Sequence, residues 1–418
     1  MFVALRSGLT AKFPFSTIGK ELCKVVSKNK FQVATLTRAA WRDEDEVPLI
    51  KPFPYHEKEY TVLTMLMDVH KCRVHKHSKL IVLDGPPAIG KNKLAKELAK
   101  EFDFLYLPQP TFDDLYVTYW GFDVRSLDPK LPENARTWDI ERWLHNPSHV
   151  NTCSMQMYMY LLRQKLWMNC LAHILCTGQG VVTVRSPWSD AVFAKAMCKN
   201  KYLTPKGLEY HEDALDASLH FYLRPHLVIY LDAPVSTIQQ NIKKRGLPHE
   251  KNNKALTDKF LTDLEESYKS DYLAKISEHS HLLIYDWSQG GDTEIVLEDI
   301  ESLNFDDIPD KELLLSDWRF EPFQYKIHIK HYTYDSDMYL MNMDIARTDV
   351  PEMILSPEDW KAFDNVWYNI PDSKYDPGYN ILKGDKDVLW KDKFILAKDH
   401  VTPLIQKYYE RKQKLKSG

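Results

Sequence analysis

The chain lacks the features that mark secreted, membrane-spanning or metal-binding proteins. Its 418 residues contain only six cysteines, which form neither a CxxC pair nor a spacing typical of metal ligands. This usage favours free thiols in a reducing compartment over a disulfide framework. No apolar run approaches the ~20 residues that a membrane helix requires. We therefore predict a protein without a transmembrane helix and without a metal site.

The sequence also lacks an excess of charge of one sign. A formal net charge of −4, with 27% charged and 44% hydrophobic residues, is ordinary for a soluble globular protein. Proteins that bind nucleic acid usually show a basic balance or a basic face, so we expect no nucleic-acid partner. The length suits one large domain with an extension, or two domains.

Acidic residues are almost absent from the amino-terminal segment. Up to Arg42 it contains a single acid, Glu21, among scattered lysines and arginines. No compact apolar core follows these charges, as a secretory signal would require, and the pattern is typical of a mitochondrial presequence. We predict a presequence over residues 1–40, with cleavage between Val33 and Trp41. A disordered basic tail is the alternative.

Five short runs are apolar without alternation, as expected of parallel strands that are covered on both faces. They are Leu80–Asp84, Phe104–Pro108, Val181–Val184, Leu227–Leu231 and Leu282–Asp286. Helical patterns lie between them. The alternation predicts an α/β fold, a doubly wound parallel five-stranded sheet with right-handed crossovers, in a domain over residues 41–304. Ligands of such sheets bind beyond the carboxyl ends of the strands.

After about Asn304 the sequence becomes rich in Trp and Tyr, is interrupted by Pro and Asp, and loses its periodicity. We predict an irregular carboxyl-terminal extension over residues 305–418. Aromatic side chains on irregular backbone suit either packing onto the chain's own domain or docking to other subunits, and the sequence leaves both open.

A phosphate-binding pattern follows the first strand. Gly85, Gly90 and Lys91 satisfy G-x-x-x-x-G-K, and an amphipathic helix begins directly after them. Such glycines let backbone N–H groups surround phosphate oxygens, the helix dipole adds positive potential, and the lysine neutralises phosphate charge. The next position, which normally holds magnesium through a hydroxyl, is Asn92, whose amide oxygen is a weaker ligand. We expect phosphate binding here without support for metal-assisted transfer.

From this loop onward the chain resembles the deoxynucleoside kinases. It resembles still more closely their non-kinase relatives, the nucleoside-kinase-like accessory subunits of mitochondrial respiratory complex I. The resemblance spans roughly Leu80 to Asp286 and implies a P-loop kinase-like fold. Besides the loop, it rests on SMQMYMYLLRQKL (Ser154–Leu166), RSPWSDAVFAKAM (Arg185–Met197) and LDAPVSTIQQNIKKRGLPHEKN (Leu231–Asn252).

The resemblance implies three nucleoside-binding residues. Gln156 would pair with a base edge, because an amide both donates and accepts. Arg163, seven residues later on the same helical face, would contact the base, and Asp190 matches an acidic base contact. As alternatives, Gln156 and Arg163 belong to a polar helix face, and Asp190 is an acid that favours a helix amino terminus.

The resemblance also divides the remaining site positions into retained and replaced ones. Arg185 and Arg245 would join the loop in binding phosphate. Gln109 stands where the kinases carry the glutamate that accepts the proton of the sugar hydroxyl, and a glutamine cannot do this. Val184 replaces a carboxylate that helps to hold magnesium, and Asn92 replaces the hydroxyl. Positioned proton transfer is worth ~10²–10⁴ in rate, so the pattern predicts no catalytic residues, unless Asp113 or Asp114 serves as the base.

The functional expectation is a non-catalytic accessory subunit of the mitochondrial NADH:ubiquinone oxidoreductase, complex I. By resemblance it supports assembly and stability of the complex from the matrix side of the inner membrane, with other complex I subunits as partners. No cysteine set suits an iron–sulfur cluster, and no G-x-G-x-x-G follows a strand. No cofactor is required. FAD has been attributed to the family without support in these residues, and a bound nucleotide fits the cleft better. The alternative is a mitochondrial deoxynucleoside kinase.

Overall fold

The computed structural model describes residues 51–70, 72–117, 122–251, 253–305, 312–340, 345, 347 and 349–367. The predicted presequence and its cleavage region lie outside these residues. So does most of the second aromatic stretch of the extension, from residue 368 onward.

A five-stranded parallel sheet forms the centre of the domain, which confirms the predicted α/β architecture. Its strands are β1 (Leu80–Asp84), β2 (Leu105–Leu107), β3 (Val181–Val184), β4 (Leu227–Asp232) and β5 (His281–Asp286). Their order across the sheet is β2-β3-β1-β4-β5, and every neighbouring pair is parallel. The strand order reverses around β1, so the loop that leaves β1 lies at the topological switch point where ligands of such sheets bind.

Helices cover both faces of this sheet and continue into the extension. In chain order the described α-helices are α1 (Val62–Met67), α2 (Lys91–Glu101), α3 (Asp113–Tyr116), α4 (Ile140–His145), α5 (Thr152–Thr177), α6 (Asp190–Lys199), α7 (Pro205–Ser218), α8 (Val235–Arg245), α9 (Pro248–Lys251), α10 (Asp258–Ser267), α11 (Leu273–Ile276), α12 (Thr293–Ser302), α13 (Pro322–Thr333), α14 (Ser336–Leu340) and α15 (Pro357–Trp367). No helix in the described ranges combines the length and apolarity needed to cross a membrane.

Helix α5 is buried along most of its 26 residues. It is apolar on nearly all sides, as expected of a helix that lies between a sheet and further helices. Its carboxyl end stops at Gly178, whose φ of 77° is the left-handed conformation that glycine adopts without strain. This central helix carries Gln156 and Arg163, so the two polar side chains enter the domain interior.

The described part of the extension packs onto the domain. Where the sequence suggested irregular backbone, residues 322–340 and 357–367 form α13, α14 and α15. The Tyr325 hydroxyl on α13 is buried and donates to the Leu175 carbonyl at the end of α5. Farther along, the Tyr332 hydroxyl donates to the Phe221 carbonyl at 2.8 Å. Aromatic side chains around α13 obscure its period in the sequence, and contacts with α5 stabilise the helix instead.

Candidate functional site

The loop between β1 and α2 has the conformation of a phosphate-binding loop. Gly85 has φ 139°, and a side chain there would collide with the Leu231 carbonyl of β4. Gly90 precedes α2 with φ 96°, which a residue with a side chain rarely adopts. The glycines therefore allow both the approach to β4 and the turn into the helix.

Lys91 points back into this loop. Its ammonium group donates to the Gly85 carbonyl at 2.9 Å and also to the Pro86 carbonyl. The side chain is buried, and burial together with the nearby Arg185 cation lowers the pKa of Lys91 well below its ordinary value. A buried ammonium whose partners are neutral carbonyls is incompletely compensated, so an anion at the loop would improve its electrostatic environment.

Asp84 is an acidic residue at the cleft that the sequence analysis missed. This last residue of β1 is fully buried and accepts hydrogen bonds from Tyr272 at 2.9 Å and Tyr268 at 3.2 Å. The two tyrosines follow one another around a wide helical turn, Tyr268–Tyr272. Burial raises the pKa of Asp84, and the Arg185 cation opposes that shift. Its place directly before the loop was the available signal.

Arg185 follows β3 in a strained conformation. Its φ is 65°, in the left-handed region that only a few residues with side chains occupy. The guanidinium lies 4.1 Å from the ring centroid of Phe193, and Arg163 lies over the same ring at 5.3 Å. The strain is of the kind that accumulates at functional sites, and here it brings a second cation towards Lys91 and Asp84.

The three predicted nucleoside-binding residues meet, although they come from two helices. Asp190 is fully buried at the start of α6 and accepts a hydrogen bond from Gln156 Nε2 at 2.7 Å on Oδ2. Arg163 Nη1 contacts the other oxygen, Oδ1. Burial and the Arg185 cation lower the pKa of Arg163 to about 9. Asp190 therefore neutralises a buried arginine as well as beginning a helix.

His211 belongs to the same cluster and was not predicted. Its ring on α7 is buried, and Nε2 lies 2.8 Å from Asp190 Oδ2. Burial, followed by the nearby Arg163 cation, lowers the pKa of His211 to about 3, so the ring is neutral at neutral pH. No signal in the sequence pointed to His211, because α7 lies outside the motifs that carried the resemblance.

The structure gives the surroundings of the three positions at which the resemblance implies a replaced catalytic residue. Val184 ends β3, pairs in register with Leu83 and is buried. Asn92 is exposed on the first turn of α2, and Gln109 is half-buried just beyond β2. Their isopropyl and amide groups offer neither a proton acceptor nor a strong magnesium ligand, so these residues do not fit the divalent ion that kinases use. In the described ranges, no cluster of three His, Cys, Asp or Glu side chains suits a metal.

The alternative bases are used in local contacts. Asp113 pairs with Arg125 at 2.8 Å, and Asp114 accepts hydrogen bonds from the backbone and hydroxyl groups of Thr111. Both lie on the short helix α3 near the surface. These contacts orient the two carboxylates towards their own segment.

The basic cluster at the end of α8 is partly neutralised. Arg245 forms a two-point ion pair with Glu250 of α9, including an Nε–Oε2 distance of 3.0 Å. Lys243 and Lys244 are exposed beside it. Arg245 therefore contacts a carboxylate directly, whereas the described hydrogen bonds of Lys91 go to carbonyl oxygens.

Comparisons with known proteins identify relatives of this chain. The family model described as deoxynucleoside kinase matches residues 81–317. NADH dehydrogenase (ubiquinone) 1 alpha subcomplex subunit 10, mitochondrial, of Mus musculus is 33% identical, and the match covers 75% of this chain and 84% of that one. The protein of the same name from Rattus norvegicus is 32% identical over 77% of this chain and 87% of its own length. Deoxyguanosine kinase of Dictyostelium discoideum is 26% identical over 56% of this chain and 72% of the enzyme.

Proposed function

Because the chain belongs to the deoxynucleoside kinase family and, within it, to the family of NADH dehydrogenase 1 alpha subcomplex subunit 10, we propose that it is an accessory subunit of mitochondrial complex I. The observation that carries this proposal is the match to the Mus musculus subunit over 84% of that protein's length. Similarity to the kinase from Dictyostelium discoideum is lower and covers less of both chains. In this role the chain supports assembly and stability of complex I on the matrix side of the inner membrane, with other complex I subunits as partners.

We further propose that the cleft binds a nucleotide without turning it over. Two features support binding: the buried Lys91 on neutral carbonyls, and the polar cluster around Asp190. Gln109 and Val184 argue against turnover, because phosphoryl transfer depends on a positioned base and on charge neutralisation by metal. A nucleotide that binds only the folded chain stabilises it by about 2.7 kcal/mol at a concentration 100 times its dissociation constant.

Native electrophoresis of mitochondrial membranes tests the assembly role. We expect an antibody against this chain to detect it in a very large complex that also contains NADH dehydrogenase activity. Depletion of the chain should reduce the amount of that complex. Migration only as a free species near the chain mass of 49.0 kDa would contradict the proposal.

A kinase assay tests the non-catalytic role. Purified protein with magnesium-ATP and each of the four deoxynucleosides should form no monophosphate above background. Turnover of about 0.1–1 per second, near the low end of typical enzymes, would instead support a mitochondrial deoxynucleoside kinase. Loss of that turnover in Lys91→Ala would exclude a contaminating enzyme.

A further inference from the structure

The imidazole of His211 has one polar contact among the described residues. Nε2 lies 2.8 Å from Asp190 Oδ2, whereas Nδ1 is buried without a hydrogen-bond partner. Packing alone gives no reason for a histidine, because a phenylalanine would fill the buried position without an unpaired nitrogen. What the imidazole adds is its hydrogen bond to Asp190.

The direction of this hydrogen bond follows from the neutral ring. Burial lowers the pKa of His211 to about 3, and the adjacent Asp190 oxygen accepts. The proton therefore lies on Nε2, and His211 donates to Asp190 without adding a charge. Arg163 remains the cation of the cluster.

The three donors to Asp190 leave its two oxygens unequal. Oδ2 accepts from Gln156 and His211, which use both of its lone-pair directions. Among the described hydrogen bonds, Oδ1 is contacted by Arg163 alone, so one acceptor direction remains on this oxygen. A ligand group that donates an N–H therefore finds its acceptor at Oδ1, beside the guanidinium.

The extension holds the helix that carries His211. Glu352 accepts from the Thr204 backbone at 3.1 Å and from its hydroxyl at 2.7 Å, directly before α7. Arg347 donates to Asp213 on the same helix at 2.6 Å. These contacts fix α7 from outside while His211 contacts Asp190 from inside.

We propose that His211 is a positioning residue of a nucleoside subsite, holding the Asp190 carboxylate so that Oδ1 faces an N–H donor of a nucleobase. The inference rests on the proposed nucleotide binding and adds the group that orients its acidic base contact. It assigns His211 to recognition of the base and leaves recognition of phosphate to the loop around Lys91.

Calorimetric titration with two kinds of probe tests this assignment. The probes are the four common deoxynucleoside triphosphates and inorganic tripolyphosphate, which has no base. We expect at least one deoxynucleoside triphosphate to bind more tightly than tripolyphosphate. His211→Phe should lower the affinity for that nucleotide by about tenfold, in the range expected for one hydrogen bond to a charged group. The same variant should change the affinity for tripolyphosphate by less than about twofold.

Rescue and matched control variants separate positioning from packing. His211→Gln retains an amide N–H near the position of Nε2 and should restore nucleotide affinity to within about threefold of wild type. His220→Phe makes the same substitution at an exposed position after α7 and should change neither affinity. Equal weakening of nucleotide and tripolyphosphate by His211→Phe, or unchanged nucleotide affinity, would overturn the proposal.

Three further outcomes are distinguishable. If His211→Phe does not fold, His211→Asn, whose shorter amide does not reach Oδ2, must show the same selective loss, and its absence would overturn the inference. If wild type binds tripolyphosphate as tightly as every nucleotide, the assignment of His211 fails while phosphate binding stands. Binding of none of the probes would refute the proposed nucleotide binding itself, and the assignment of His211 with it.

Discussion

The two ends of the cleft bury cations in different ways. At the nucleoside end, the Arg163 guanidinium contacts a carboxylate, Asp190, which also accepts from Gln156 and His211. At the phosphate end, the Lys91 ammonium contacts only neutral carbonyls in the described hydrogen bonds, and Asp84 directs its oxygens towards two tyrosines. In the first arrangement the cation contacts its carboxylate directly, whereas in the second Asp84 acts on Lys91 only as a nearby charge, without a described hydrogen bond between them.

This difference predicts that one end of the cleft matters mainly for folding stability and the other mainly for ligand binding. A buried charge pair is strongly destabilised when one partner is removed, because the other charge is left buried and uncompensated. A buried cation whose hydrogen bonds go only to neutral groups costs stability in the folded chain, and an anion that arrives beside it lowers that cost. We therefore expect the nucleoside end to contribute to folding and the phosphate end to depend on ligand.

The largest effect should follow from removing Asp190. Asp190→Ala leaves the buried Arg163 without a counter-charge, so we expect a loss of about 3–5 kcal/mol in the free energy of unfolding, measured by urea titration. Asp216→Ala, at an exposed position of α7, is the control and should stay within about 0.5 kcal/mol of wild type. A loss below about 1 kcal/mol for Asp190→Ala would show that the cluster is not a compensated charge pair.

The phosphate end should respond in the opposite way. Lys91→Met removes a buried ammonium with neutral partners, so stability should remain within about 1 kcal/mol of wild type, while tripolyphosphate affinity falls about 10–100-fold. Calorimetric titration and urea unfolding measure the two quantities. Lys93→Met, which changes an exposed side chain two positions later, should alter neither the free energy of unfolding nor the tripolyphosphate affinity. A destabilisation as large as that of Asp190→Ala would remove the distinction between the two ends.

The smallest effect concerns pH at the nucleoside end. The pKa of His211 is lowered to about 3, while the unfolded chain has the ordinary value near 6.5, so the unfolded state binds more protons between these values. Stability therefore falls as pH decreases through about 6.5. The contribution of one such histidine at pH 5.5 is a loss of about 1 kcal/mol relative to pH 7.5.

Comparison of variants isolates this contribution. The fall in unfolding free energy from pH 7.5 to 5.5 should be about 1 kcal/mol smaller in His211→Phe than in wild type, measured by urea titration at both values. Asp84, whose pKa burial raises, titrates with the opposite sign but is present in both proteins. Equal pH dependence in the two proteins would show that His211 is not held neutral by the fold.

Much of the fold was predictable because its signals are local. The predicted strands at Leu80–Asp84 and Val181–Val184 match the structure, and the other three differ by one residue at one or both ends. The loop was predictable for the same reason, since its glycines and lysine are fixed by spacing along the chain. The helices of the extension were not, because α13 depends on packing against α5 and has no clear period of its own.

The candidate site was only partly predictable. Resemblance to a family pointed to Gln156, Arg163 and Asp190. It gave no indication that Gln156 and Arg163 both contact the Asp190 carboxylate. Asp84 could have been noticed from its place directly before the loop, whereas His211 belongs to no motif and is identified only through its contacts. Arg245 was expected to bind phosphate, and its pairing with Glu250 depends on how α8 meets α9.

The sequence by itself determined the parallel sheet, the P-loop and the absence of carboxylates at positions 109 and 184, because apolar runs, glycine spacing and residue identity are written in consecutive residues. Only the tertiary structure decided which charges meet. Asp84 and Tyr272 are 188 positions apart, and Asp190 meets residues from both α5 and α7. Such contacts depend on how the helices cross the sheet, and local composition does not encode that geometry.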